Sequence, residues 1–408
     1  MRRVVVTGMA GFSPIGHSWP EIDQGLRSYR NAVRYMPEWE VFSGLNSHLA
    51  ASVKNFELPT HYSRKRTRGM GRVAQLATRS SELALEAAGL LGDSILTDGR
   101  TGVAYGSSSG STPALSDMAR LLIAESTDSI KANTYIQMMP HTTAANISVF
   151  FGTRGRLIPT SSACTSGSMA IGMAYEAIRN GQQDVMIAGG AEELCPSQTA
   201  VFDTLFATST RNDQPEMTPR PFDADRDGMT IGEGAATLVL EDLDRARARG
   251  ASVHAEIVGF ATTTDGNHLT QPAADTMAIC IRQALEDANL PSQEVGYVNA
   301  HGTATELGDI AESHATLNIF GRAVPISSLK SYIGHTLGAC GGIEAWITVE
   351  MLNNDWYAPT INLKSLDPRC AELDYIVESG RSMQNEYVMS NNFAFGGVNT
   401  SLLFRRWQ

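Results

Sequence analysis

Apolar and polar positions along the chain fall into two kinds of run. Short, nearly continuous apolar runs bounded by glycine or polar residues predict buried strands: Arg3 to Thr7, Gly102 to Gly106, Val185 to Ala188, Ala236 to Leu240, Val253 to Val258 and Gly296 to Ala300. Between them lie stretches with apolar residues every three or four positions, which predict helices. These are roughly Arg72 to Ala88, the segment after Cys164 carrying Ile171, Ala174, Ala177 and Ile178, the charged run Glu241 to Gly250, and about Thr276 to Asn289. Strands alternating with helices predict a parallel α/β architecture. Glycines read as punctuation: Gly8-Met9-Ala10-Gly11 as the exit of the first strand, Asn180-Gly181 as a helix stop, Gly189-Gly190 as a strand end.

A faint internal echo accompanies this alternation. Ala163-Cys164 opens a small-residue helix in the first half, and Ala339-Cys340-Gly341-Gly342-Ile343-Glu344-Ala345 opens a similar one in the second. Two related halves, residues 1–250 and 251–408, would bring both loops to one shared face. Residues 131–150 are weakly patterned and are the candidate for part of a dimer interface.

Composition narrows the class. The 408 residues are 42% apolar and 18% charged, enough to bury a large core. A net charge of −11 argues against general nucleic-acid binding. Five cysteines (164, 195, 280, 340, 370) form no CxxC pair, so neither a disulfide framework nor a zinc site is indicated, and a reducing cytoplasmic compartment fits. The N-terminal apolar run is too short for a signal peptide, and no segment approaches the ~20 apolar residues of a membrane span.

Candidate chemistry is concentrated in a few places. Cys164 sits where a loop enters a helix, in Ser161-Ser162-Ala163-Cys164-Thr165-Ser166-Gly167. Unpaired N–H groups and the helix dipole there would lower a thiol's pKa, making Cys164 a nucleophile. A small buried core residue is the other reading. The glycines after the first strand miss the GxGxxG spacing of a dinucleotide loop. Ser63-Arg64-Lys65-Arg66-Thr67-Arg68 is a positive run in an acidic chain, suited to an acidic partner. Three further segments carry reactive types at presumed strand ends: Asn299 to Asp309 with His301, Ser327 to His335 with Lys330 and His335, and Asn391 to Asn399 with two phenylalanines about a glycine turn.

Taken in order, Val5-Val6-Thr7-Gly8, Ala163-Cys164-Thr165-Ser166-Gly167, His301-Gly302-Thr303-Ala304-Thr305, Leu329-Lys330-Ser331 with Gly334-His335, Gly342-Ile343-Glu344-Ala345 and Asn392-Phe393-Ala394-Phe395-Gly396-Gly397 resemble the β-ketoacyl-ACP synthases of the I/II type, end to end. The resemblance implies the thiolase fold, an α/β fold of two pseudo-symmetric halves in a layered αβαβα arrangement with mixed sheets. It implies decarboxylative condensation of an acyl group on Cys164 with malonyl-ACP, without metal or organic cofactor. His301 and His335 would contact the malonyl thioester carbonyl. Lys330, with Glu344 as partner, would support His335 or its carboxylate. The N–H groups of Cys164 and Phe395 would form the oxyanion hole. Thr303 and Thr305 would hold the pantetheine arm, Phe393 and Ser109 would belong to substrate binding, and Phe395 would gate the acyl pocket. Lys65, Arg68 and Arg211 would dock acyl carrier protein. The resemblance also implies a dimer, with an identical chain or a ketosynthase-like paralogue.

The set Cys-His-His separates relatives. Degradative thiolases carry a second catalytic cysteine where this chain has phenylalanines, chain-initiating synthases have asparagine in place of His335, and chain-length partners lack the nucleophile. Departures from the pattern are Ala394 where glycine is usual, Glu306-Leu307 for a proline-containing pair, serines about Ser109 for a larger apolar residue, Pro159 in the strand before Cys164, and Gly69 for a second docking base. They suggest a longer, polyunsaturated or aryl-capped chain. The competing readings are a non-catalytic scaffold and a cysteine hydrolase.

Overall fold

The structure is a computed structural model and describes residues 1–408. Eleven strands form one continuous sheet, ordered as two copies of a single five-stranded pattern with Asp374–Tyr375 added at one edge. The first set is Val4–Phe12, Thr101–Gly106, Leu157–Thr160, Val185–Glu192 and Gly234–Asp242; the second is Ala255–Thr264, Val295–Asn299, Pro325–Ser327, Tyr387–Ala394 and Val398–Arg406. In each set the spatial order is third, second, fourth, fifth, first. The second, third and fourth strands are parallel, and the fifth runs antiparallel to both of its neighbours. The sets join where Val4–Val6 pairs antiparallel with Ala255–Ile257.

Helices complete five layers, as expected for the thiolase fold. Arg72–Ala87 and Thr142–Phe151 cover the outer face of the first set, and Ala274–Asp287 with Glu306–Phe320 cover that of the second. Between the sets lie Ser166–Arg179 and Cys340–Asn353. The latter, Cys-Gly-Gly-Ile-Glu-Ala-Trp-Ile-Thr-Val-Glu-Met-Leu-Asn, is apolar on nearly every side, and a helix of that kind is stable only when enclosed. It packs on strands of both sets, so the largest core cluster draws residues from both halves.

Two glycine readings are corrected. Val4–Phe12 runs straight through Gly8 and Gly11, and Val185–Glu192 runs through Gly189 and Gly190. These glycines mark close approach rather than strand ends. A Cβ on Gly8 would sit 2.3 Å from the Ala84 carbonyl of the covering helix, and one on Gly190 would sit 2.3 Å from the Gly338 carbonyl. The exit predicted at Gly8 therefore does not exist, and no dinucleotide-type loop follows the first strand. Pro159 is accommodated because Leu157–Thr160 is the edge strand of its set.

Candidate active site

The edge strand Leu157–Thr160 delivers the chain to a single 3₁₀ turn, Ala163–Thr165, which runs into the helix Ser166–Arg179. Ala163 holds a left-handed φ of +51°, a strain that surrounding contacts must maintain. Hydrogen bonds from Ser162 N–H to Ser166 Oγ (2.9 Å) and from Ser166 Oγ–H to the Ala163 carbonyl (2.7 Å) supply them. Cys164 thus lies at the helix start, as expected, and is buried. The expected fall in its pKa does not follow. Burial pushes the thiol up to about 11, although Lys330 and the backbone N–H groups of Phe395 and of Cys164 itself oppose this. Loss of hydration outweighs the helix start here.

His335 arrives from the second half. Its N–H donates to the Thr230 carbonyl (2.7 Å), and its own carbonyl accepts from Gly232 N–H (2.9 Å), which fixes the backbone beneath the ring. Nε2 stands 3.0 Å from Cys164 Sγ. Nδ1 faces the N–H of Leu337 at 3.2 Å and so must accept. A neutral ring then carries its proton on Nε2. Burial, followed by the charge of Lys330, holds the His335 pKa well below the usual value, so the ring is neutral and donates toward the sulfur.

His301 follows the strand Val295–Asn299. Its Nδ1 faces Lys330 Nζ at 3.2 Å and Asn392 Nδ2 at 3.4 Å, both donors, so its proton also sits on Nε2. Burial, Lys330 and His335 hold this ring neutral too. The two imidazoles lie edge to face with centroids 5.2 Å apart, and reactive atoms of Cys164, His301 and His335 all fall within 4.8 Å of one another.

Lys330 corrects one expectation. It serves His301, not His335, while forming the expected buried ion pair with Glu344. Burial opposes its charge, but the Glu344 carboxylate holds its pKa above the ordinary lysine value. Burial raises the Glu344 carboxyl in turn. We read the pair as ionised, because Glu344 also accepts from Asn392 Nδ2 at 2.7 Å.

A cleft of about 540 Å³ opens onto this group. Cys164, His301, Thr303, Thr305, His335, Phe393 and Phe395 line it. Thr303 and Thr305 bond each other at 2.9 Å, and buried Arg226 fixes their loop by donating to the Thr305 carbonyl. The Phe395 ring meets Phe202 at 5.3 Å. Ser109 lies outside the cleft, with its N–H on Glu192 and its Oγ accepting from Gln198 Nε2. Lys65 and Arg68 are exposed on and just after the short helix Arg64–Thr67. Arg211 is only half-exposed and occupied by Asp227 and the Asp225 carbonyl.

Three contributors escaped the sequence reading. Asn392 lies inside a quoted motif but was given no role. Glu312 accepts the N–H groups of His301 and Gly302, each at 2.7 Å, and burial pushes its carboxyl up to about 8. Cys340 Sγ–H donates to the Cys164 carbonyl at 3.1 Å. The signal for Glu312 was a carboxylate on the inner side of the helix Glu306–Phe320, visible only once that helix is placed.

Family profiles decide what this constellation belongs to. The β-ketoacyl synthase N-terminal domain matches residues 1–246, and the C-terminal domain matches residues 254–364. The chain belongs to the β-ketoacyl synthase family. Among its relatives, 3-oxoacyl-[acyl-carrier-protein] synthase 1 of Haemophilus influenzae is 38% identical, with the whole of both chains covered. Synthase 2 of Synechocystis is 36% identical over 100% of this chain and 99% of the relative. A crystal structure of a β-ketoacyl synthase from Burkholderia phymatum superposes with a TM-score of 0.99 at 58% identity, covering both chains fully. A type II polyketide ketosynthase, bound to the hexaketide and in complex with its acyl-carrier protein, superposes at 0.89 and 30% identity, again over the whole of both chains. This β-ketoacyl synthase is therefore an acyltransferase with the thiolase-like fold.

Proposed function

We propose that this synthase elongates an acyl chain by decarboxylative Claisen condensation with malonyl-ACP. The Cys164 sulfur attacks the acyl thioester. The N–H groups of Cys164 and Phe395 receive the oxyanion, and the carrier leaves as its thiol, carrying away the proton given up by Cys164. Malonyl-ACP then binds with its thioester carbonyl before the Nε2–H groups of His301 and His335. The bond to the carboxylate breaks, CO2 departs, and the electron pair becomes an enolate whose oxygen those two donors hold. Its carbon attacks the acyl-Cys164 carbonyl, the sulfur leaves, and the β-ketoacyl-ACP is two carbons longer. Breaking the C–C bond generates the carbanion, so the step calls for no metal, no organic cofactor and no base to take a proton from carbon.

The observation that carries this reading is the meeting of two neutral imidazoles, each with its proton on Nε2, at one buried thiol. A cysteine hydrolase needs an imidazole that accepts the thiol proton, and His335 is turned the other way. Mass spectrometry after mixing with acyl-ACP and malonyl-ACP tests it. The two-carbon-longer β-keto product is expected, and Cys164→Ala abolishes it. Free acid alone points to a hydrolase, and indifference to Cys164→Ala points to a scaffold.

The partner in this reading is acyl carrier protein, docked by exposed Lys65 and Arg68, with Arg211 contributing less because Asp227 already holds it. The synthase works in the cytoplasm as a dimer, with residues 131–150, which expose Tyr135, Ile136 and Val149, at the interface. Sedimentation decides the dimer. Ala394 and Glu306-Leu307, which line the cleft, support a specialised, longer or conjugated chain, whereas the serines at 107–109 are turned to Glu192 outside it. Equal turnover of saturated and conjugated acyl-ACPs in competition refutes that part.

A further inference from the structure

Glu192 ends the strand Val185–Glu192 and is fully buried, yet no lysine, arginine or histidine reaches it. Its carboxylate is held by neutral donors alone: Ser107 Oγ–H at 3.2 Å, Ser108 N–H at 2.8 Å, Ser108 Oγ–H, Ser109 N–H at 3.2 Å and Gly338 N–H at 3.1 Å. An anion without a cation is costly to bury: burial raises the Glu192 carboxyl, and the donors from Ser108, Gly338 and Ser109 hold that rise down. Those donors come from two places far apart in sequence. Three residues belong to the loop after the strand Thr101–Gly106, and the fourth belongs to the turn that follows His335.

The turn is tight and strained. A Cβ on Gly338 would lie 2.6 Å from Ser108 N and 2.7 Å from Glu192 Oε2, so only glycine lets the loop and the turn meet. The preceding Leu337 has a left-handed φ of +48°, uncommon for a bulky residue and maintained only by its surroundings. The N–H of that same Leu337 donates to His335 Nδ1. We infer that Glu192 is a positioning residue of the condensation: its carboxylate binds the Ser107–Ser109 loop to the Leu337–Gly338 turn, and through that turn it keeps the His335 proton on Nε2. The inference rests on the condensation reading above.

It also separates the two half-reactions. Burial raises the Cys164 thiol, and the Glu192 charge adds to that rise. Removing the charge should ease ionisation of the sulfur while loosening the histidine that serves decarboxylation. The other titratable groups about the sulfur are Lys330, His301, His335, Cys340, Glu344 and Glu312, none of which is itself substituted in the variant.

The experiment uses Glu192→Gln in the full chain, with the unaltered chain alongside. An amide keeps the shape but turns an NH2 toward N–H donors. CO2 release from malonyl-ACP should fall about ten- to a hundredfold, the loss expected of a donor displaced by a fraction of an ångström. The pH profile of Cys164 alkylation by iodoacetamide should move to lower pH. Nitrogen-15 NMR of the labelled histidines should lose the single Nε2–H signature of His335. Alkylation and decarboxylation falling together, or decarboxylation left unchanged, overturns the inference. If the variant does not fold, Ser108→Ala decides: slower CO2 release at an unchanged thiol profile supports the role, and unchanged release refutes it. No CO2 release from the unaltered chain refutes the condensation reading itself, while the NMR signature of His335 still reports on Glu192.

Discussion

Lys330 Nζ lies 3.2 Å from His301 Nδ1, and the buried cation thereby sets the proton position of the first histidine while a backbone N–H sets that of the second. The two donors of the site are fixed by different means, and they respond to different substitutions. Lys330→Ala removes the nearer of the two donors to His301, leaving Asn392, and strips the buried Glu344 carboxyl of its cation. CO2 release from malonyl-ACP should fall by about 10²–10³-fold. Stability should fall by about 3–5 kcal/mol. The double variant Lys330→Met with Glu344→Gln should recover most of that stability in urea denaturation and none of the activity.

Cys164 alkylation should be strongly pH-dependent. With the thiol pushed up to about 11 by burial, the thiolate fraction climbs about tenfold per pH unit through neutral and mildly alkaline pH. A free thiol would level off near ~8.5. A plateau in iodoacetamide reactivity there would contradict the burial argument. Adding Lys330→Ala should depress reactivity further, because the lysine charge lowers the thiol pKa.

The two histidines draw stability down on the acid side and the thiol draws it down on the alkaline side, while Glu312, raised to about 8, works against the histidine limb. His301 and His335 have folded pKa values well below their unfolded ones. The unfolded chain therefore binds more protons, and the stability present above ~6.5 is lost as the pH falls below it. Cys164 has a folded pKa above its unfolded one, so its contribution is complete below ~8.5 and is lost as the pH rises toward about 11. Urea denaturation across this range checks both limbs. Substituting His301 and His335 by Gln should flatten the acid limb.

Gly190→Ala places a methyl 2.3 Å from the Gly338 carbonyl and 2.8 Å from Gly167 Cα, between the nucleophile helix and the His335 turn. Overpacking of this kind costs about 1–3 kcal/mol. Activity should fall further than stability suggests, because the displaced turn carries Leu337. Gly69→Ala is the control: its nearest neighbour would be Asn146 Oδ1 at 3.5 Å, and its stability should stay within about 0.5 kcal/mol.

Lys65→Glu with Arg68→Glu should lower kcat/KM for acyl-ACP about tenfold at low salt, with the difference shrinking as salt rises. The effect should appear in KM rather than kcat. Arg211→Glu should do less, since its guanidinium is already turned toward Asp227.

Much of the fold was legible because strands and helices announce themselves locally. The helix at 72–88, the strands at 102–106 and 296–300, and the pairing of two halves all come from periodicity and from the echo between Cys164 and Cys340. Gly8 and Gly190 misled for a physical reason. A glycine inside an apolar run looks the same whether the strand ends or a neighbour's backbone comes close, and only the packed neighbour distinguishes them.

By itself, the sequence determined which reactive groups this protein owns and the order in which the chain presents them: one thiol at a helix start, two imidazoles, a lysine, a carboxylate and a glycine turn. The tertiary structure decided which of them touch. Cys164 and His335 meet across 171 residues, and Lys330 chooses His301 across 29. It also decided the acidity of the thiol and the tautomer of each ring. Those properties follow from burial and from what faces each atom, and no local pattern of residue types encodes either.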